Sequence, residues 1–398
     1  MIAVEEALRL ISENTFDFGT EEVHLDNSLG RILREDFYAD RDFPPYNRVT
    51  MDGIAIAHAS FASGQRNFNI EGVAAAGSPQ QRLSDPTNCL EVMTGAILPA
   101  GCDTVIRYED LAEGDGQVRI QLDSMIHGQN VHNKGEDRAQ GSVIVKKGKK
   151  ISSAEIGVGA TIGKVQVKVS SLPKTLIIST GDELVEIQES PLPHQIRRSN
   201  IHRLKSTLRN YGIEADSHHF DDDFEEIKNK LQRMIEEYDV ILLSGGVSKG
   251  KFDYLPEALE AVGVQKLYHK IQQRPGKPMW FGRAPKDTFV FALPGNPVSS
   301  FLCMHRYFLT WLRESLQLQA ADIPQAALAA PIHFKPNLTY FAQVKLSYTP
   351  EGKVLAHPVE GNGSGDLANL VDADAFIQLP QGKDVYEAGE VYALLFYR

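Results

Sequence analysis

The spacing of hydrophobic residues changes along the chain, and the changes divide it. Val4, Ala7, Leu8 and Ile11 recur at i, i+3, i+4, i+7, which predicts a short amphipathic helix over residues 4–12 that docks on something larger. Residues 23–39 are extended and irregular. From 54 to 140, short runs alternate apolar and polar, as at 54–57, 104–107 and 118–122, and turn chemistry breaks them at Gly77-Ser78-Pro79, 98–101 and 113–116. This predicts a mostly β region. A second β stretch is expected over 141–169, ending at Ser170-Ser171-Leu172-Pro173.

The period then switches. Strand-like 175–178, helix-like 199–211, strand-like 215–220, a helix over 224–238 and an apolar run at 240–243 give the alternation of a parallel sheet covered by helices. A further run at 289–292 precedes a Phe- and Leu-rich helix over 297–316. Residues 320–330 read as a linker, and 332–398 alternate again around glycine turns, as expected of a small β-barrel or sandwich. No internal repeat is visible.

Ligands in such α/β sheets bind at the C-terminal ends of strands, and glycine-bearing stretches cluster there. Ser244-Gly245-Gly246-Val247-Ser248-Lys249-Gly250 joins the 240–243 run to helical spacing over 255–262, with Asp253 at the helix start. Glycines let the backbone approach a ligand, and free N–H groups at a helix start favour negative charge. Ser179-Thr180-Gly181-Asp182-Glu183, Arg274-Pro275-Gly276-Lys277-Pro278 and Leu293-Pro294-Gly295-Asn296-Pro297 lie in or beside the same region. Two prolines shape another loop, 43–53, which carries Asn47 and Asp52.

Composition narrows the class. The 398 residues are 42% apolar and 23% charged, as in a globular protein, and the length suggests roughly two to four domains. No apolar run reaches membrane-spanning length, and the first residues lack a signal-peptide pattern, so a cytoplasmic protein is expected, with no membrane partner. Three well-separated cysteines argue for core thiols rather than disulfides or a zinc site. A net charge of −11 disfavours nucleic acid as a partner. A small anion remains compatible if a local basic cluster holds it: Lys270, Arg274 and Lys277, with Arg197, Arg198 and Arg203, supply one, although Arg197 and Arg198 read better as solvated surface charges.

Loop acids Asp52, Asp137, Asp182, Glu183, Asp222 and Asp253 complete the inventory. Carboxylates holding Mg²⁺ while lysines or arginines clamp an anion would suit it. Asp222, flanked by Asp221 and Asp223, serves equally well as a helix cap for 224–238. P-loop, nucleophile-elbow and zinc-helix motifs are absent, and His218-His219 on a strand points to opposite faces.

In order, Pro45-x-Asn47-x-x-x-Met51-Asp52-Gly53, Thr94-Gly95, Gly135-Glu136-Asp137, Ser179-Thr180-Gly181-Asp182-Glu183-Leu184, Gly245-Gly246-Val247-Ser248-x-Gly250-x-x-Asp253-Tyr254, Pro275-Gly276-Lys277-Pro278 and Leu293-Pro294-Gly295-Asn296-Pro297-Val298-Ser299 span nearly the whole chain. Together they closely resemble the molybdopterin molybdenumtransferase (MoeA) family, which includes the gephyrin E domain. The resemblance implies insertion of molybdate into adenylylated molybdopterin, with Mg²⁺ and release of AMP.

It also implies a multidomain α/β plus β fold: an N-terminal helix, 1–19, docked on the α/β domain; an extended β domain, 20–38 and 140–171; a small mostly β domain, 39–139; a molybdopterin-binding α/β domain with a mostly parallel sheet, 172–317; and a C-terminal β-barrel, 318–398. The expected assembly is a homodimer whose cleft is shared between subunits, with Asp52, Thr94 and Asp137 on the partner's side, and a separate adenylyltransferase is a possible further partner. Glu183, Asp222 and Asp253 resemble the acids of the nucleotide and metal region, with Asp222 and Asp253 the candidate Mg²⁺ ligands. Lys270, Arg274, Lys277, Pro278 and Ser364 resemble the pterin-phosphate and molybdate contacts, beside the Gly245, Gly246 and Ser248 turn. Arg274 stands where the family usually has lysine, and Gln343 where it usually has an arginine, which should weaken oxyanion binding. The alternatives are a non-catalytic binding or scaffold paralogue, and the adenylyltransferase, whose domain resembles only 172–317.

Overall fold

In the computed structural model, which describes residues 1–114, 117–221, 223–247, 254–361 and 363–398, the chain forms two compact units. One comprises 1–34, 148–152 and 166–398, the other 35–147 and 153–165.

The first unit is built on a six-stranded sheet in the order Asp216–Phe220, Thr175–Thr180, Val240–Ser244, Phe289–Leu293, Trp280–Arg283, Gln265–His269. The first four strands are parallel, Trp280–Arg283 runs antiparallel to them, and Gln265–His269, antiparallel to Trp280–Arg283, again runs with the first four. Its central strands are buried along their whole length because both faces are covered, which is why the sequence shows continuous apolar runs there rather than alternation. Ile177, Leu242, Phe289 and Phe291 pack with the helices Val4–Glu13 and Ser199–Arg209 and with the helical stretch over 297–315. Leu176, Ile178, Ile241 and Leu243 pack on the other face against Phe224–Glu237 and Leu255–Ala261. Asp223 caps the first of these helices, its side chain accepting from the Glu226 N–H at 2.8 Å.

Residues 325–396 close a five-stranded barrel: Thr339–Tyr348 pairs with both Val354–Pro358 and Ala375–Leu379, and Gln325–Leu328 and Val391–Phe396 complete the ring. The expected linker therefore holds a barrel strand. Its Gln-Ala-Ala-Leu sequence contributes only two small apolar side chains and a leucine, too weak an alternation to announce itself. Gln273–Arg274 joins the barrel edge in parallel with Thr339 and Tyr340, so the basic loop and the barrel are hydrogen-bonded to each other.

In the second unit, a four-stranded sheet (Ile70–Ala74, Cys89–Val92, Gly53–Ile56, Thr104–Arg107) and a three-stranded one (Asn67–Phe68, Gln117–Ile120, Leu111–Gly114) give the predicted mostly β character. Gly53 is required sterically, since a Cβ there would lie 1.8 Å from the Ile106 carbonyl oxygen. The stretch expected as β over 141–169 is interrupted by a helix, Ser153–Thr161. Its stop signal was present: Gly163, at φ +73°, follows the last turn and donates to the Ala160 carbonyl, while the Lys164 N–H donates to that of Gly159. All three cysteines are buried and free, as expected of core thiols, and burial pushes those of Cys89 and Cys102 up to about 12.

Candidate functional site

Three glycine turns meet where the parallel strands end. Asn200, in the first turn of the Ser199–Arg209 helix, donates from Nδ2 to Ser244 Oγ (3.0 Å) and to the Gly295 carbonyl (2.8 Å), tying two of the turns together. Arg203 holds this amide in that orientation by donating from Nη2 to Asn200 Oδ1 at 2.9 Å. The turns touch backbone to backbone: a Cβ on Gly295 would lie 3.5 Å from Gly245 Cα, and one on Gly245 would lie 3.0 Å from the Thr180 carbonyl oxygen. The third turn carries Glu183, whose carboxylate folds back over Gly181 so closely that a Cβ there would be 2.5 Å from Oε2.

The basic loop is anchored from below. Gln273 is fully buried, accepts from Tyr307 Oη and donates to the Pro275 carbonyl at 3.0 Å. Gly276, at φ +83°, sits where any side chain would strike Cys303 and Gln273. Across from it, Asn296 Nδ2 donates to Ser364 Oγ at 2.8 Å and the Val298 N–H to the Ser364 carbonyl at 3.0 Å, which holds the 363–365 loop over the start of the Pro297–Cys303 helix. Phe334 and Tyr340 stack at 4.2 Å, and burial raises the Tyr340 hydroxyl pKa above its ordinary value.

These elements enclose a cleft of about 1100 Å³. Glu183, Gly245, Gly246, Arg274, Lys277, Pro278 and Ser364 all line it, as do Arg197, Arg198 and Gln343. Arg198 is no freely solvated charge: its side chain is 14% exposed and paired with Glu186. With several cations and backbone donors against one lining carboxylate among the described residues, the cleft suits a polyanion that also brings an aromatic or metal-binding part. Gln343 Oε1 and Thr180 Oγ1 are buried without a partner among the described residues.

Lys270 is not among the lining residues. It occupies the turn after Gln265–His269 at φ +70°, its N–H donating to the Met279 carbonyl. Asp222, Ser248 and Asp253 lie outside the described residues, and among those described no group of three His, Cys, Asp or Glu side chains is arranged to hold a metal. Asn200, Gln273, Phe334 and Tyr340 escaped the sequence reading. Asn200 alone had a readable signal, its place in the first turn of a helix that returns from a strand's C-terminal end.

Asp52, Thr94 and Asp137 belong to the second unit, where they make their own cluster. Asp52 accepts from the Thr94 N–H (2.6 Å) and Oγ1 (2.8 Å), and these bonds lower its pKa. His132 links Asp137, 3.1 Å from Nε2, to Arg48, 3.0 Å from Nδ1, while Asn47 Oδ1 accepts from the Lys134 N–H at 2.9 Å. The three loops noted in the sequence, around 47–52, 94–95 and 134–138, therefore converge.

Residues 2–163 match the MoeA N-terminal region (domain I and II), 176–314 a probable molybdopterin binding domain, and 325–396 the MoeA C-terminal region (domain IV). The chain is 44% identical over 395 residues to a molybdopterin molybdenumtransferase of Synechocystis, covering 98% of this chain and 99% of the relative. It is 32% identical to one of Bacillus subtilis, covering 100% and 94%. A molybdopterin biosynthesis MoeA protein from Pyrococcus horikoshii superposes over the full length of both chains with a TM-score of 0.85 at 25% identity. Among the described residues, no helix is long and apolar enough to cross a membrane.

Proposed function

Because the chain belongs to the MoeA family of molybdopterin molybdenumtransferases, we propose that it inserts molybdate into adenylylated molybdopterin and releases AMP, the last step of molybdenum cofactor biosynthesis. The observation that carries this reading is the single cleft in which glycine turns from neighbouring strand ends face Arg274, Lys277 and Ser364. A tetrahedral dianion is bound by guanidinium, ammonium, hydroxyl and N–H donors, all of which converge here. Thiolates of the pterin are soft ligands that favour taking the metal once oxo groups leave as water. The adenylyltransferase alternative explains only the central domain and leaves the matched N- and C-terminal regions without a role.

In this reading Arg274, Lys277, Pro278 and Ser364 contact the pterin phosphate and molybdate, with the Gly245–Gly246 backbone and Ser248 beside them, and Glu183 belongs to the nucleotide region. We assign Asp222 and Asp253 to Mg²⁺ from the motif; the ion would neutralise charge at the phosphoanhydride as AMP departs. We further propose a cytoplasmic homodimer in which Asp52, Thr94 and Asp137 of one copy face the cleft of the other, with Lys270 adding positive charge from outside the lining.

Incubating the purified chain with adenylylated molybdopterin, molybdate and Mg²⁺ should yield molybdenum cofactor and equimolar AMP. Asp253→Asn should abolish AMP release while leaving the circular dichroism spectrum unchanged. Turnover of that variant at the parent rate would remove Asp253 from its assigned role, and no cofactor from the parent chain would overturn the function.

A further inference from the structure

One side of the cleft is a thin polar partition. Ser179 and His219 are register partners on neighbouring parallel strands, and Ser179 Oγ lies 2.8 Å from His219 Nδ1. Ser179 lines the cleft and is only 2% exposed. His219 lines a second pocket of about 310 Å³ with Glu186, Arg198, His202, Lys205 and His218, and its Nε2 lies 3.8 Å from the exposed Asp221 carboxylate. Arg198 and Ile201 border both cavities. The Ser179–His219 pair therefore bridges the two cavities, with Ser179 on the cleft side and His219 on the side of the small pocket.

We propose that Ser179 and His219 form a proton relay from the small pocket into the cleft, with His219 a positioning residue that acts through the Ser179 hydroxyl. This rests on the reaction proposed above, in which each oxo group lost as water must collect two protons. The resting ring is neutral with its hydrogen on Nδ1, directed at Ser179 Oγ. Nε2 takes a proton from hydronium in the small pocket, which leaves water there. The Nδ1–H bond then breaks toward Ser179 Oγ as the Oγ–H proton passes to a ligand oxygen. One O–H bond forms on the ligand, Ser179 is restored, the ring ends neutral with hydrogen on Nε2, and no electrons change hands.

The groups facing the ring set its titration. Burial and Arg198 lower its pKa below the usual 6.5, against Asp221, Glu183 and the bond to Ser179, which raise it. Glu186, His202, Lys205 and His218 share its pocket. The ring is thus mainly neutral at pH 7 and accepts a proton more readily as the pH falls.

The test measures cofactor formation between pH 5.5 and 8 for the parent and for His219→Gln, which keeps a hydrogen bond to Ser179 but does not titrate. Parent turnover should rise toward acid with a midpoint below 6.5, and H219Q should lose that limb, running about 100-fold slower at pH 6. Superimposed profiles would overturn the relay. A second readout needs no turnover: ¹⁵N NMR of the histidine rings, with His219 identified by its loss in H219Q. Adding molybdate and AMP should move its midpoint in the parent but not in Ser179→Ala. An unmoved midpoint in the parent excludes the relay, whereas a moved midpoint without turnover in any chain retires the proposed reaction and leaves the coupling standing.

Discussion

Gln343 brings a neutral amide to a cleft that several cations line, and its Oε1 has no partner among the described residues. A buried carbonyl oxygen facing an oxyanion repels it, and turning the amide offers only an uncharged donor. Replacing it with arginine adds a charge-assisted, planar donor pair. Gln343→Arg should therefore lower the dissociation constant for molybdate by roughly tenfold, equivalent to about 1.4 kcal/mol. Titration calorimetry with molybdate alone measures this, and an unchanged or weaker constant would remove Gln343 from the oxyanion's neighbourhood. Gly276 tests the basic loop in the same spirit. An alanine Cβ there would sit 2.6 Å from Cys303 Sγ and 2.8 Å from Gln273 Nε2 at φ +83°. Gly276→Ala should cost about 1–3 kcal/mol and weaken anion binding, because the loop must shift. Gly64→Ala, at φ +103° with nothing within 4 Å, carries backbone strain alone and should cost less in thermal melts. Residues such as Gly276 and Glu183 were readable in advance because a turn's chemistry is local. Gln273 was not, because its value lies in a partner 34 positions away, and Asn200 showed only its place in a helix's first turn, not its partner 95 positions away.

At the scale of elements, what the chain announced depended on how completely each element is buried. The central strands Thr175–Thr180 and Val240–Ser244 are unmistakable as unbroken apolar runs. Gln325–Leu328 and Ser153–Thr161 were misread because the first offers only small apolar side chains and the second carries Gly157 and Gly159, so neither shows a clean period. The helical stretch from Pro297 to Ser315 was read correctly as one piece, yet its middle, Met304–Phe308, is π-helical. That turn carries His305, which is buried, packs against Phe301 at 4.3 Å and has no partner for Nε2 among the described residues. Burial first, then the nearby Arg313 and Arg203 charges, push its pKa down to about 3. The folded chain therefore keeps this ring neutral while the unfolded chain protonates it below about 6.5, so acidification favours unfolding. Stability should fall between pH 6.5 and 3 at up to ~1.4 kcal/mol per pH unit from this group alone. In urea unfolding at pH 7 and pH 4.5, His305→Gln should lose less stability on acidification than the parent. Equal losses would mean that His305 is not the group responsible.

For the whole molecule, the two clusters of candidate residues fall on different compact units of one chain, and the proposed sharing of a cleft between two copies has a quantitative consequence. Sedimentation equilibrium should give twice the 44.1 kDa of a single chain. Asp52→Ala and Lys277→Ala should each be inactive alone, because each homodimer lacks one of the two contributions at both sites. Random reassortment of equal amounts makes half of the dimers mixed. In a mixed dimer, the cleft that keeps Lys277 faces the copy that keeps Asp52, while the other cleft lacks both. One site in two is then restored in half of the dimers, so about a quarter of parent activity should return. A cleft completed within one chain predicts no recovery, since every chain in the mixture carries a defect. Mixing without reassortment also gives none, so the chains are first unfolded and refolded together, and exchange is verified by co-purifying a tagged with an untagged copy. Activity near a quarter supports the shared site, and a baseline signal from verified mixed dimers assigns Asp52 to its own chain's chemistry.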